Sequence, residues 1–135
     1  MSPHRIVNPP GMAPAVGFSH AVVPVAGRVV YLGGQTAQRP DGTVGGTGVV
    51  EQMGRALANV VAALAAVDAG PEHLVSLIVY TTDMPAYRAS LPALGAVWRR
   101  HLGRHYPAMA LLGVAELFDP AALVELVGVA VVPPG

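Results

Sequence analysis

No cysteine occurs in the 135 residues. That excludes disulfides, a thiol nucleophile and any metal site built on thiolates. Lysine is absent as well, so all eight basic residues are arginines, and eight acidic residues bring the formal net charge to zero. A chain that binds phosphate backbones normally carries a basic surplus, so no nucleic-acid partner is expected. Charged residues make up only 12% of the chain and aromatics 5%, which leaves little material for a basic, base-stacking surface. No apolar run reaches the roughly 18 residues of a membrane span, so no membrane partner is expected either. The start, Met1-Ser2-Pro3-His4-Arg5, lacks the apolar core of a signal peptide. That predicts a cytoplasmic protein.

What the chain does have is apolar side chains, 53% of the total. This is far from a disordered composition, and the length suits one domain over residues 1–135. Two closing stretches organise the rest. His105 to Leu117 is an apolar run started by Pro107 and ended by the turn Phe118-Asp119-Pro120. Leu123 to Val132 follows at once as a second strand. Strands apolar on both faces do not sit at a solvated sheet surface. One face calls for a helix layer, and the other for a cover from outside the chain.

Met1 to Pro14, rich in proline and glycine, reads as an extended lead-in. Ser19 to Val25 and Arg28 to Leu32 read as two strands joined by Ala26-Gly27 into a hairpin. Arg39-Pro40-Asp41-Gly42 is a turn. Thr47 or Gly48 caps a helix whose apolar positions run Val49, Met53, Leu57, Val60, Val61, Leu64 and Val67, one helical face, until Gly70-Pro71 stops it. Leu74 to Tyr80 is a third strand. Asp83-Met84-Pro85 leads into a second helical region, surest from Ala93 to Leu102, with Pro92 as a first-turn proline or a kink. The order ββαβαββ predicts an α+β fold in which two helices cover one face of a single mixed sheet.

Several segments together resemble one family. Val16-Gly17-Phe18-Ser19-His20-Ala21-Val22 is similar to Gly-Pro-Tyr-Ser-Gln-Ala-Val of the reactive intermediate deaminases (Rid, or YjgF type). Tyr31-Leu32-Gly33-Gly34-Gln35 resembles that family's strand ending in Ser-Gly-Gln. Val79-Tyr80-Thr81-Thr82-Asp83-Met84 resembles Val-Phe-Val-Lys-Asp-Leu, Tyr106-Pro107-Ala108 resembles Phe-Pro-Ala, and Leu123 to Val132 resembles the closing Ile-Glu-Ile-Glu-Ala-Ile-Ala-Val. The resemblance spans nearly the whole chain in order. It implies a chorismate-mutase-like fold, a homotrimer whose sheets face an inner barrel, and small-molecule clefts between subunits. It also implies hydrolase or deaminase chemistry on imines and enamines, without a cofactor.

At the positions that the resemblance assigns to substrate, the chain departs from the family. Met109 stands where an arginine binds the substrate carboxylate, and Val127 where a glutamate positions water. Phe18 replaces a tyrosine, Gly33 a serine, Leu111 a cysteine and Leu91 an asparagine; Gly34 and Gln35 are kept. These departures predict an apolar cleft and little turnover of 2-imino acids. Met109 and Leu111 share a strand face, and either line such a pocket or are ordinary core. The catalytic candidates are Glu125 and Glu116, acids in apolar strands whose pKa would rise on burial, and His20, able to move protons near neutrality. Each also has a plainer reading as a paired or solvated side chain. His101 and His105 have the i, i+4 spacing of metal ligands on a helix. Gly103 lies between them and no third ligand is evident, so no metal is expected. The arginines Arg99, Arg100 and Arg104 cluster at a helix end, where they favour its negative dipole. Two functions follow: a hydrolase or tautomerase on a reactive small metabolite, or a non-catalytic trimer that binds an apolar small molecule or a partner protein.

Overall fold

The computed structural model describes residues 1–135. It contains six strands and three α-helices: β1 (Arg5–Val7), β2 (Ala21–Val23), β3 (Arg28–Tyr31), α1 (Val49–Ala65), β4 (Leu74–Thr81), α2 (Met84–Ala89), α3 (Leu91–Leu102), β5 (Ala108–Gly113) and β6 (Val124–Val132). The main sheet is mixed and runs β3-β6-β4-β5. β6 is antiparallel to both neighbours, and β5 lies parallel to β4 on the edge. No helix is long and apolar enough to cross a membrane.

The α+β class and the mixed sheet under helices are as the sequence predicts, with three differences of detail. The expected hairpin does not form. β2 pairs with β1, inside the stretch read as a lead-in, and β3 pairs with β6. Pro24 cannot donate to a ladder, and Ala26-Gly27 is not a two-residue hairpin turn of the favoured types. β3 gains more from β6, which offers it Val129 to Val132 as partners. A Cβ on Gly27 would run into the carbonyl of Val132, so only glycine lets the chain pass there. The second helical region is two helices. Asp83 caps α2 by accepting from the Ala86 amide (3.1 Å), and Pro92 sits in the first turn of α3, where its missing N–H costs nothing. Finally, β5 stops at Gly113, so Glu116 lies in the loop that follows the strand, not in it.

Strand register sorts the side chains by face. Leu77, Val79, Met109, Leu111 and Leu126 lie on the helix side, since Leu77 pairs with Met109 and Val79 with Leu111 and Leu126. There all but Leu111, which stays exposed at the sheet edge, meet Met53, Leu57, Val60 and Leu64 of α1 and Leu94, Val97 and Trp98 of α3 in one core. The other face carries Ile78, Tyr80, Ala110, Leu112, Glu125, Val127 and Val129, with Val29 and Tyr31 from β3. Nothing in the chain covers it fully: Tyr31 is 79% exposed, Val29 53% and Leu112 45%.

Two side-chain amides of α1, Gln52 buried and Asn59 partly so, hold the loops to the helix. Gln52 donates to Ala121 and accepts from the Leu123 amide, both at 2.8 Å. Asn59 sits within α1 and donates to the carbonyls of Thr36 and Gln38, at 3.0 and 2.9 Å. That fixes the course of the chain just after β3.

Gly128, mid-β6, points at the helices, and Leu32, Leu74 and Leu77 fill the space a side chain would take; a Cβ would meet each at 3.3 Å. Gly128→Val should therefore overpack the core and cost about 1–3 kcal/mol. Urea denaturation would measure it, and a loss no greater than that of a surface control would show that the leucines yield freely.

Candidate functional site

A cavity of about 590 Å³ opens between the edge strand β5, α3 and the segment before β2. Its walls are mostly apolar, and they bring together four of the residues singled out from the sequence: Phe18, Leu91, Met109 and Leu111. Each is placed by a local device. Ser19 donates its hydroxyl to the Tyr106 carbonyl (2.6 Å) and its amide to Pro107 (3.0 Å), laying the Phe18-Ser19 segment along the start of β5. Trp98 donates its indole N–H to the His105 carbonyl (3.2 Å) and stacks on Tyr106 at 5.9 Å. His105 reaches the Leu74 carbonyl at 2.7 Å. Those bonds lock the start of β5, and with it Met109, against α3 and β4. Leu91 is the first residue of α3 and sits at the cavity rim, half exposed.

Three polar groups line this cavity that the sequence reading had not placed there. Tyr87 of α2 is one; burial raises its pKa, so its phenol stays protonated and can donate. Tyr106 is the second. Arg99 is the third and the only charged residue on the cavity wall. No carboxylate lies within ion-pair distance of its guanidinium, which lies back beside Gly95 (Nη1 would be 3.4 Å from a Cβ there). Arg104 borders an adjoining cavity near the N-terminus, which shares Phe18 and Tyr106 with this one, so the cation on this cavity's own wall is Arg99. Nothing in the sequence separates Arg99 from Arg100 and Arg104 in this respect.

The remaining candidates gather elsewhere. Leu32 donates to the Gly128 carbonyl and Gln35 bonds reciprocally with Leu126, so Gly33 and Gly34 face Val127 alone, in the manner of a β-bulge. The Glu125 carboxylate lies over Gly34, where any Cβ would strike it. Gln35 donates to the Gly33 carbonyl at 3.2 Å. Gly33, Gly34, Gln35, Glu125 and Val127 thus form a second cluster, just after β3 and on β6. β4 separates it from β5, and Val127 and Glu125 point away from the face that bears Met109 and Leu111. One chain does not bring the two clusters together.

Two catalytic candidates stand apart from both. His20 bonds the Ala13 carbonyl through Nε2 (2.7 Å) and packs edge-on against Phe18. It lines neither the cavity nor the bulge. Glu116 is exposed beside Phe118 and Pro120. His101 and His105 do not share a helix face, because α3 ends at Leu102 and Gly103 turns the chain with φ +63°. Burial lowers the pKa of both, so both rings are neutral at pH 7.

Comparison with known proteins bears on this arrangement. The family model described as endoribonuclease L-PSP matches residues 10–132. A solved Rid-family protein of unknown function from Yersinia pestis is 32% identical, with a TM-score of 0.85 over 96% of this chain and 98% of that one. A member of the YjgF/YER057c/UK114 family from Mycobacterium tuberculosis is 27% identical, with a TM-score of 0.65 over 96% and 99%. RidA from an Antarctic Psychrobacter is 26% identical, with a TM-score of 0.66 over 89% and 92%. Among curated proteins none matches.

Proposed function

Because the chain belongs to the Rid/YjgF family of endoribonuclease L-PSP-like proteins, we propose that it is a homotrimer whose subunits complete one another's sites, each acting on a reactive imine, enamine or related small metabolite as a hydrolase or tautomerase. One observation carries this reading: the candidate residues fall into two half-sites on opposite faces of the sheet, one at its free edge and one at the Gly33-Gly34 bulge. Two copies packed edge to bulge would join an apolar cavity to a carboxylate.

In such a cleft the roles divide by chemistry. Phe18, Leu91, Met109 and Leu111 hold an apolar body and exclude water. Tyr87 donates a hydrogen bond from a neutral phenol. Glu125, arriving from the neighbouring copy above Gly34 and Gln35, is the one candidate base able to activate water for attack on an iminium carbon or to move a proton at the carbon beside it. Met109 cannot form the bidentate pair that an arginine makes with a carboxylate. Losing a charge-assisted contact of that kind costs about 1.5–3 kcal/mol.

The expected result is little or no hydrolysis of 2-iminobutyrate generated in place by an amino-acid oxidase. Turnover comparable to that of an arginine-bearing relative would overturn the apolar-substrate reading. Among uncharged imines and enamines, any turnover found should vanish in Glu125→Gln while ligand binding persists. Binding with no turnover across that panel would favour the second reading, a non-catalytic trimer. The engaged state of His20 and the exposure of Glu116 speak for it, since they leave a single acid as candidate catalyst. RNA cleavage is less well supported, because Arg99 is the only cation of the cavity.

A further inference from the structure

A second concavity, about 960 Å³, lies on the outer side of the helix layer, and it shares no lining residue with the cavity just described. Three arginines border it from three different elements: Arg39 from the loop after β3, Arg55 from α1 and Arg100 from α3. Consecutive residues of α3 thus serve opposite sides, Arg99 the apolar cavity and Arg100 this groove.

The charges in the groove are unbalanced. The chain has as many acids as bases, yet its one ion pair is His73 with Glu72, and no arginine is in one. Glu51 is the only acid on the groove wall, and its Oε2 is occupied by the Thr47 amide (3.2 Å) and hydroxyl (3.1 Å). Asp41, near Arg39, accepts from the hydroxyl and amide of Thr43 at 2.7 and 2.9 Å. Three guanidiniums against the carboxylates of Glu51 and nearby Asp41 leave a local excess of one positive charge, which an incoming anion would relieve.

Arg39 is also held in place. Its Nη1 donates to Thr43 Oγ1 (3.2 Å), and its guanidinium lies over Gly45, where any side chain would displace it. A fixed, planar, five-donor group suits an oxyanion with several oxygens better than a single carboxylate. His101, on the same wall, is neutral because of burial and the neighbouring Arg100 charge, so it can offer an N–H. The groove is larger than one phosphate and within the size range of small-molecule sites. Val50, Ala58 and Ala86 give it an apolar floor. No Phe, Tyr or Trp lines it, so it has no platform on which nucleic-acid bases could stack.

The geometry points to a binding site for a phosphate group in this groove, held by Arg39, Arg55 and Arg100, with Val50, Ala58 and Ala86 against any organic part the phosphate carries.

The test is calorimetric titration of the full chain with ribose 5-phosphate, inorganic phosphate, ribose and polyuridylate at about 150 mM salt, where surface charges are largely screened. Ribose 5-phosphate or inorganic phosphate should bind once per chain with Kd below about 1 mM. Whichever binds tighter tells whether the phosphate arrives on a small molecule or free. Ribose should not bind. Arg55→Gln and Arg100→Gln, both at exposed positions, should each weaken binding about tenfold or more. Arg104→Gln, outside the groove, should leave it unchanged. Absence of saturable phosphate binding, binding indifferent to Arg55 and Arg100, or tighter binding of polyuridylate would each overturn the assignment. The site does not depend on the reading of the apolar cavity, and none of these outcomes bears on that reading.

Discussion

Val129→Glu should convert the assembled protein to monomers, seen as a threefold fall in mass by sedimentation equilibrium. Val129 lies on the open face of the sheet, opposite Tyr31 on β3 and Ser76 on β4. Around it that face carries Val29, Tyr31, Ile78, Val127 and Leu112, several of them largely exposed in the single chain. Apolar area of this kind is stabilised by burial at about 25 cal/mol per Å², and a contiguous patch of it marks an interface. In the proposed trimer the mutant would place one carboxylate per subunit at the centre of the interface. Each uncompensated buried ion costs several kcal/mol, so a trimer would bear the penalty three times. The fold itself should survive, because the residue points away from the core between sheet and helices. Circular dichroism would confirm that, and Val129→Leu should still assemble. A wild-type chain that stays monomeric at micromolar concentration would sink the trimer directly.

The legible parts of the fold were those where one periodic signal dominated. The face of α1, the doubly apolar β5 and β6, and the open second face could all be read because burial and period agree in them. The pairing of β3 could not. Arg28 to Tyr31 looks like the second half of a hairpin by proximity, and only the length and composition of β6, a hundred residues away, decide otherwise. Glu116 was misplaced for a related reason: apolar residues run on past Gly113, but the chain leaves the sheet there.

The site was half legible. Of the residues singled out through the motifs, four line one cavity. Nothing in the sequence could tell that Met109 and Val127 lie on opposite faces of one sheet, since that depends on the register of β4 with both neighbours. Arg99 was hidden among three arginines near a helix end. Its distinction from Arg100 is a rotation of about 100° around α3, and from Arg104 the turn at Gly103 beyond the helix end, both visible only once the helix has been packed.

Met109→Arg should weaken binding of an uncharged aromatic ligand by about tenfold or more and give the cavity a measurable affinity for a keto acid such as 2-oxobutyrate. Met109 sits on the helix side of β5, opposite Leu77, and packs against the core. An arginine there would bring a second guanidinium into a cavity that already holds Arg99 as its one charge. Without an anion, burying that group carries a desolvation cost, and the two like charges repel. The substituted protein should therefore also unfold at lower temperature in the absence of ligand, and recover with a carboxylate bound. Thermal-shift and calorimetric titration of both proteins against a neutral aromatic and the keto acid would decide. If the wild type already prefers the carboxylate, the apolar-ligand model fails. Arg99 is then the cation in use, and Arg99→Gln should abolish that preference while Arg104→Gln and Arg88→Gln leave it intact.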